Sequence, residues 1–249
     1  LYYSAIAGLF DSLRDLQQWR NPVLVRKAHV VVDSIGTFSL RKHSDDLWIV
    51  SPTREPAIGK LLRNELGMGD TFVDVGANIG FYTVLAANSV GKLGKVLAVE
   101  MFPPTMQMLY DNIHLNHLEN VEVAETALWD MSGSEVIANA PTGKFGQASI
   151  QEYGKHSTEA RVTTTIYSKT LDEVCRGLTE IHLMKIDVEG SEEQVIKGGE
   201  RTLGKTKCVV FEDLTRRGLG CPVTSRLNKL GFRVETLDPN NKVAWNKNR

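Results

Sequence analysis

Asp70-Thr71-Phe72-Val73-Asp74-Val75-Gly76-Ala77-Asn78-Ile79-Gly80-Phe81-Tyr82-Thr83 is the stretch that decides the fold. An apolar, β-prone run over 72–75 meets two glycines and continues into Phe81-Tyr82-Thr83-Val84-Leu85-Ala86-Ala87, which spells strand, tight loop, helix. That order holds a nucleotide-like ligand above the carboxyl edge of a parallel sheet. Gly76 permits a tight turn, and Gly80 lets backbone or ligand approach closely. The loop is not a dinucleotide fingerprint, because the third glycine of G-x-G-x-x-G is missing. Nor does a G-K-[ST] follow to make a phosphate loop. The carboxylate of Asp74 before the turn repels phosphate and suits a cationic or hydroxyl-rich ligand. S-adenosylmethionine carries a sulfonium, an ammonium and a ribose diol but no phosphate. The Asp-x-Gly-x-x-x-Gly loop therefore reads as a methyl-donor site.

Downstream of the loop the pattern repeats. β-Prone runs over 95–100, 121–125, 182–187 and 207–212 alternate with helical runs over 105–116, 171–176, 192–203 and 223–230. The stretch 127–165 is less regular, broken by Gly133, Pro141, Gly143, Gly146 and Gly154, with β-pieces predicted near 135–139 and 160–166. A hairpin closes the chain, 232–237 and 242–245 across Asp238-Pro239-Asn240-Asn241. Repeated strand–helix units mean a parallel sheet covered on both faces. The expected class is α/β: a Rossmann-like class I methyltransferase fold with a mostly parallel seven-stranded sheet, helices on both faces and a C-terminal antiparallel hairpin.

Upstream, 4–19 reads as an amphipathic helix with Ile6, Leu9, Phe10, Leu13 and Leu16 on one stripe and Pro22 just past its end. Two short strands are predicted within 29–40, turning at Asp33-Ser34-Ile35-Gly36, then a strand over 47–50 and a helix over 54–66. Residues 1–66 thus form an N-terminal extension, a flanking support or a substrate cap, ahead of a donor-binding domain at 67–249. No low-complexity linker separates the two, so one unit is expected.

Composition sets outer bounds. The 249 residues suffice for one large α/β domain plus an arm, and 42% hydrophobic with 24% charged residues is ordinary for a soluble globular chain. A formal net charge of −1 gives no electrostatic case for a nucleic-acid surface. Cys175, Cys208 and Cys221 are scattered and lack metal spacing, which fits a reducing compartment, and a cytoplasmic protein is expected. The apolar start, Leu1 to Phe10, is too short to span a bilayer, and a first residue other than Met suggests a trimmed start. Oligomeric state is not legible, and a homo-oligomer stays open.

The candidate site residues cluster at predicted strand ends. Glu100 ends the second strand, where an acidic residue accepts hydrogen bonds from ribose hydroxyls. Phe102 lies against the adenine or inside the core. Asp74 faces the ammonium or caps loop N–H groups, while Asn78 binds the donor's carboxylate or caps the helix. Ala77 and Tyr82, in the same loop and helix start, are counted with the donor contacts. Ala127-Leu128-Trp129-Asp130 follows the third strand, where small Ala127 and Leu128 let the adenine approach and Asp130 reaches its amine. Asp187 and Glu189, in Lys185-Ile186-Asp187-Val188-Glu189-Gly190, stand at the fourth strand's end as candidates to orient a substrate hydroxyl or take its proton. Alternatively, Glu189 and Ser191 cap the next helix and Lys185 pairs with a neighbour. Asp187, Glu212 and Asp213 offer three oxygens to Mg²⁺, but separate solvated strand ends are preferred and no metal is expected.

Asp74-Val75-Gly76-Ala77-Asn78-Ile79-Gly80-Phe81-Tyr82-Thr83, Thr170-Leu171-Asp172-Glu173 and Lys185-Ile186-Asp187-Val188-Glu189-Gly190 together resemble the FkbM-type S-adenosylmethionine methyltransferases, in order and spacing from about 71 to 212. The resemblance implies O-methylation of a hydroxyl on a sugar, glycolipid or secondary metabolite. It also implies donor contacts at Asp74, Gly76, Asn78, Gly80 and Glu100, with Asp187 and Glu189 as site residues. One departure is Glu100-Met101-Phe102-Pro103, where the family places proline directly after the glutamate. The partner is expected to be a small-molecule or glycan acceptor. Rival readings are a methyltransferase of RNA or protein, a non-catalytic donor-binding protein and an NAD-linked oxidoreductase. The N-P-P-[YFW] motif of amino-methylating enzymes is absent.

Overall fold

The computed structural model of the chain describes residues 2–3, 24–150, 161–213 and 221–249, and the helix expected over 4–19 lies outside them. The extension contributes β1 (Ala28–Val32), β2 (Gly36–Leu40), α1 (Asp46–Ile49) and α2 (Pro56–Glu65). The glycine-loop unit follows as β3 (Thr71–Val75) and α3 (Phe81–Val90), then β4 (Lys95–Glu100), α4 (Pro103–Leu115) and β5 (Val121–Glu125). A small sheet comes from β6 (Ala127–Leu128), β7 (Glu135–Pro141) and β8 (Arg161–Lys169), in the order β6-β8-β7. The chain returns through α5 (Leu171–Val174), β9 (Ile181–Ile186), α6 (Glu192–Lys197), α7 (Glu200–Gly204) and β10 (Thr206–Glu212). It ends in α8 (Pro222–Lys229), β11 (Phe232–Thr236) and β12 (Asn241–Asn246).

The main sheet has seven strands in the order β11-β12-β10-β9-β3-β4-β5. β10, β9, β3, β4 and β5 run parallel, and β12 pairs antiparallel with both β10 and β11. This is the Rossmann-like methyltransferase architecture expected from the sequence. Alternation along β3 and β9 sends Phe72 and Leu183 into one core, and Val73, Val75, Met184 and Ile186 into the other. The first core also contains Val30, Phe38, Leu40, Ile58 and Leu62 of the extension, so the extension and the sheet share apolar burial.

Polar contacts fix the β1–β2 hairpin to α4. The Asn116 side chain accepts from Thr37 N–H at 2.8 Å and donates to the Thr37 carbonyl at 2.6 Å. Asn112 accepts from Ser39 N–H at 2.7 Å and donates to the Ile79 carbonyl at 2.8 Å. These two amides satisfy the backbone of a strand edge as another strand would.

Two local expectations change. The run 47–50, composed like a strand, is helical over Asp46–Ile49. The Asp46 carboxylate accepts from the Arg41 backbone N–H at 2.7 Å and from its guanidinium at 2.9 and 2.6 Å, a clamp that curls the chain and overrides β-propensity. The single helix expected over 192–203 breaks into α6 and α7 at Gly198-Gly199. A Cβ at Gly198 would lie 2.3 Å from the Trp129 carbonyl oxygen, and one at Gly199 2.5 Å from Leu171. Close packing, not helix propensity, decides that pair.

Candidate active site

A cleft of about 660 Å³ opens over the carboxyl ends of β3, β4 and β9. Gly76, Asn78, Glu100, Ala127 and Leu128 line it together with Asp187 and Glu189. Gly76 has φ +77°, and a Cβ there would sit 1.9 Å from the Asp187 carbonyl oxygen. The glycine thus lets the loop after β3 touch the chain leaving β9, and this approach forms the cleft's floor.

Glu100 holds the loop in place from below. Its carboxylate accepts from the backbone N–H groups of Asn78 (2.8 Å), Met101 (2.9 Å) and Phe102 (2.8 Å). Burial raises its pKa, against these three donors, which favour the ionised form. A carboxylate has about four acceptor positions, so one remains for a ligand hydroxyl. Beyond Glu100, Val99, Ala127 and Leu128 are all buried and present an apolar slot.

The roof comes from the irregular stretch after β7. Phe145, Gly146, Ala148 and Ile150 line the cleft from above. A Cβ at Gly146 would meet the Asn78 amide nitrogen at 2.6 Å, so this turn sits directly on the glycine loop. The Phe145 ring lies 6.1 Å from that of Phe102 and 4.7 Å from the Arg41 guanidinium carbon. Roof and extension are therefore joined at this ring and by Asp45 N–H, which donates to the Gly143 carbonyl at 3.1 Å.

A smaller cavity of about 280 Å³ continues past the loop and shares Arg54, Gly76, Asn78 and Asp187 with the first. Its floor is a buried ionic group. Lys185 pairs across the sheet with Asp74, and two residues on along the same face comes Asp187. Lys185 Nζ is 2.9 Å from Asp187 Oδ2 and 5.2 Å from the centroid of the Tyr82 ring. Tyr82 in turn donates to Glu55 Oε2 at 2.9 Å, and Arg54 donates to the same oxygen from Nε at 3.1 Å and Nη2 at 2.6 Å.

The expected residues are therefore not all in one place. Ala77 and Tyr82 line the smaller cavity only. Asp74, expected opposite the donor's ammonium, lines neither cavity; it is 1% exposed beneath the loop and accepts from the Thr83 hydroxyl at 2.6 Å. The strand's alternation points it down at Lys185, and burial raises its pKa. Gly80 also lines neither. With φ +91° it begins α3, and a Cβ would strike Leu109 at 2.7 Å. Phe102 is fully buried behind Phe145 instead of facing the cleft, and Asp130 is exposed outside it. Ser191 makes no capping bond; Glu192 accepts instead from Val188 N–H (3.1 Å) and Gly190 N–H (3.2 Å). Arg54 and the roof residues carry no motif. The only signal in the chain for Arg54 was its place beside Glu55 at the helix start.

The carboxylates at the ends of β9 and β10 differ in character. Burial alone would raise the Asp187 carboxyl, but the charges of Lys185 and Arg54 outweigh it and hold the group below the usual carboxylate range. Glu189, two residues on, has φ +54° and no hydrogen-bonded partner among the described residues. Burial, then the charges of Asp187 and Glu192, push it up to about 7. Burial, then the charges of Asp187, Glu189 and Glu192, take Glu212 up to about 8. Asp213 is salt-bridged to Lys242 at 2.6 Å, and among the described residues no group of three His, Cys, Asp or Glu is arranged to hold a metal.

Glu212 yields a stability prediction. A carboxyl raised from 4.5 to about 8 on folding stabilises the fold fully below the unfolded value, and that contribution is lost as pH rises through 8. Glu212→Gln is expected to flatten this loss and to be more stable than the parent at pH 8.5 by on the order of 1–2 kcal/mol. Urea unfolding at pH 5.5 and 8.5 checks it. Parallel pH dependence in both proteins would refute the assignment.

The residues present fit S-adenosylmethionine. An apolar slot and an adjoining carboxylate with one acceptor position left lie together in the cleft over the sheet's carboxyl edge. Comparisons with known proteins agree. The chain is similar to the methyltransferase sdnD of Sordaria araneosa, 27% identical over 190 residues, covering 65% of this chain and 73% of that protein. It is also similar to the hexuronic acid methyltransferase AglP of Haloferax volcanii, 26% identical over 171 residues, covering 68% of this chain and 66% of AglP. In structure it resembles the precorrin-6y C5,15-methyltransferase of Geobacter metallireducens, with TM-score 0.50, 16% identity, 79% of this chain and 91% of that one. That last likeness bears on the fold alone. The family model described as the methyltransferase FkbM domain matches residues 74–234, from the glycine loop to the closing hairpin. The chain belongs to that family and is an S-adenosylmethionine-dependent methyltransferase.

Proposed function

We propose that this methyltransferase acts on a hydroxyl oxygen of a small molecule or glycan. The observation that carries the proposal is the pair of neighbouring carboxylates on the cleft, Asp187 held ionised on Lys185 and Glu189 held near neutrality. An alcohol nucleophile must lose a proton during transfer, and a carboxylate with a pKa near 7 is suited to take it. When bound, the donor supplies an electrophilic methyl group on a sulfonium.

Asp187 keeps its negative charge through the reaction and orients the acceptor hydroxyl. Glu189 receives the hydroxyl proton and passes it to solvent at the cleft mouth. The roof residues Phe145 and Ile150 exclude water, so positioning and desolvation supply most of the rate. A relative named for hexuronic acid methylation supports a sugar acceptor.

The test uses methyl-labelled donor with hydroxyl-bearing glycan and metabolite fractions. Label is expected to survive nuclease, protease and mild alkali, as a methyl ether does. Label released by alkali, which marks a methyl ester, or removed by nuclease or protease would overturn the reading.

A further inference from the structure

We infer that Arg54, from the N-terminal extension, is the anchor for the donor's carboxylate. The donor's nucleoside end belongs beside Glu100, Ala127 and Leu128, and its amino-acid tail leaves the ribose on the side away from the purine. Along the cleft that direction leads over Gly76 and Asn78 into the smaller cavity, and Arg54 lines both spaces.

The glycine loop has no backbone donor left for a carboxylate. Gly76 and Ala77 N–H both donate to the Val99 carbonyl at 3.0 Å. Gly80 N–H goes to Ala77, Asn78 N–H to Glu100 and Ile79 N–H to the Asn78 side chain. A buried anion is matched best by a cationic side chain. Among the described residues, the lysines and arginines lining either cavity are Arg54 and Lys185.

Lys185 is spent. It is 3% exposed, it reaches only the smaller cavity, and Asp187 holds its ammonium at 2.9 Å. Arg54 engages Glu55 through Nε and Nη2, while Nη1 has no hydrogen bond to any described residue. A guanidinium fixed through Nε and Nη2, on a residue that lines both cavities, is pre-set for a carboxylate. The extension is thereby part of the donor site, whatever the acceptor.

Calorimetry on the full chain, with S-adenosylmethionine and its decarboxylated analogue as probes, tests this. The wild type is expected to bind the intact donor roughly 10- to 100-fold more tightly. Arg54→Gln is expected to erase that ratio by weakening the intact donor alone. Equal affinities in the wild type overturn the assignment, as does a ratio that persists in the variant or a loss shared by both probes. Should the glutamine variant fail to fold, Arg54→Lys keeps the charge without the fork. It is expected to cut the ratio at least about threefold, and an unchanged ratio overturns the assignment.

Discussion

Glu189→Gln is expected to lower turnover by about 100- to 10,000-fold, the usual worth of a positioned general base, while donor affinity changes less than about twofold. Glutamine keeps the shape and removes the basic lone pair. The wild-type rate is expected to climb about tenfold per pH unit in acid and to level off near pH 7, because the base works only once ionised and its carboxyl is held at about 7. In the variant the residual rate should be flat across that window. Single-turnover rates from pH 5.5 to 8.5 measure both features. A variant that keeps more than half the activity, or the same rise with pH, would remove Glu189 from proton transfer and return that role to Asp187.

Gly76→Ala is expected to destabilise the protein by on the order of 4 kcal/mol or more, a large share of the roughly 5–15 kcal/mol by which an ordinary domain is stable. Two costs coincide at this position. The residue is at φ +77°, and the new methyl would lie 1.9 Å from a backbone oxygen of Asp187, which no side-chain rotation relieves. Gly133 provides the control: its φ is +81° with nothing within 4 Å, so Gly133→Ala carries the conformational cost alone, about 1–2 kcal/mol. Urea midpoints of the two variants separate backbone strain from collision. If Gly76→Ala lies within 1 kcal/mol of Gly133→Ala, the contact between the loop and β9 is not the constraint described.

The sheet was legible because its strands are short, apolar and separated by helical periods, and because the glycine loop names its own position in the fold. The extension's hairpin was legible from its turn residues. Asp46 defeated the strand expected at 47–50 through a bond to Arg41 that no propensity encodes. In the site, residues at strand ends could be named from order alone, and Glu100, Asp187 and Glu189 do face the cleft. Which way a side chain points was harder. Asp74 looked like a ligand group because it precedes the turn, but one step of strand alternation sends it under the loop to Lys185. Arg54, Phe145 and Gly146 reach the cleft by tertiary folding from distant segments, and no local pattern marks them.

The asparagine clasp on β2 has a practical consequence for anyone dissecting this protein. The family match begins at residue 74, yet a fragment cut there would leave Asn112 without the Ser39 N–H and Asn116 without both partners at Thr37. It would also bare Ile79, Phe81 and Val84, which now share a core with Phe38 and Leu40. Such a fragment should collect in inclusion bodies, since it carries a naked apolar flank and unmatched amides side by side. The recognisable family segment is thus expected to be shorter than the smallest piece that folds.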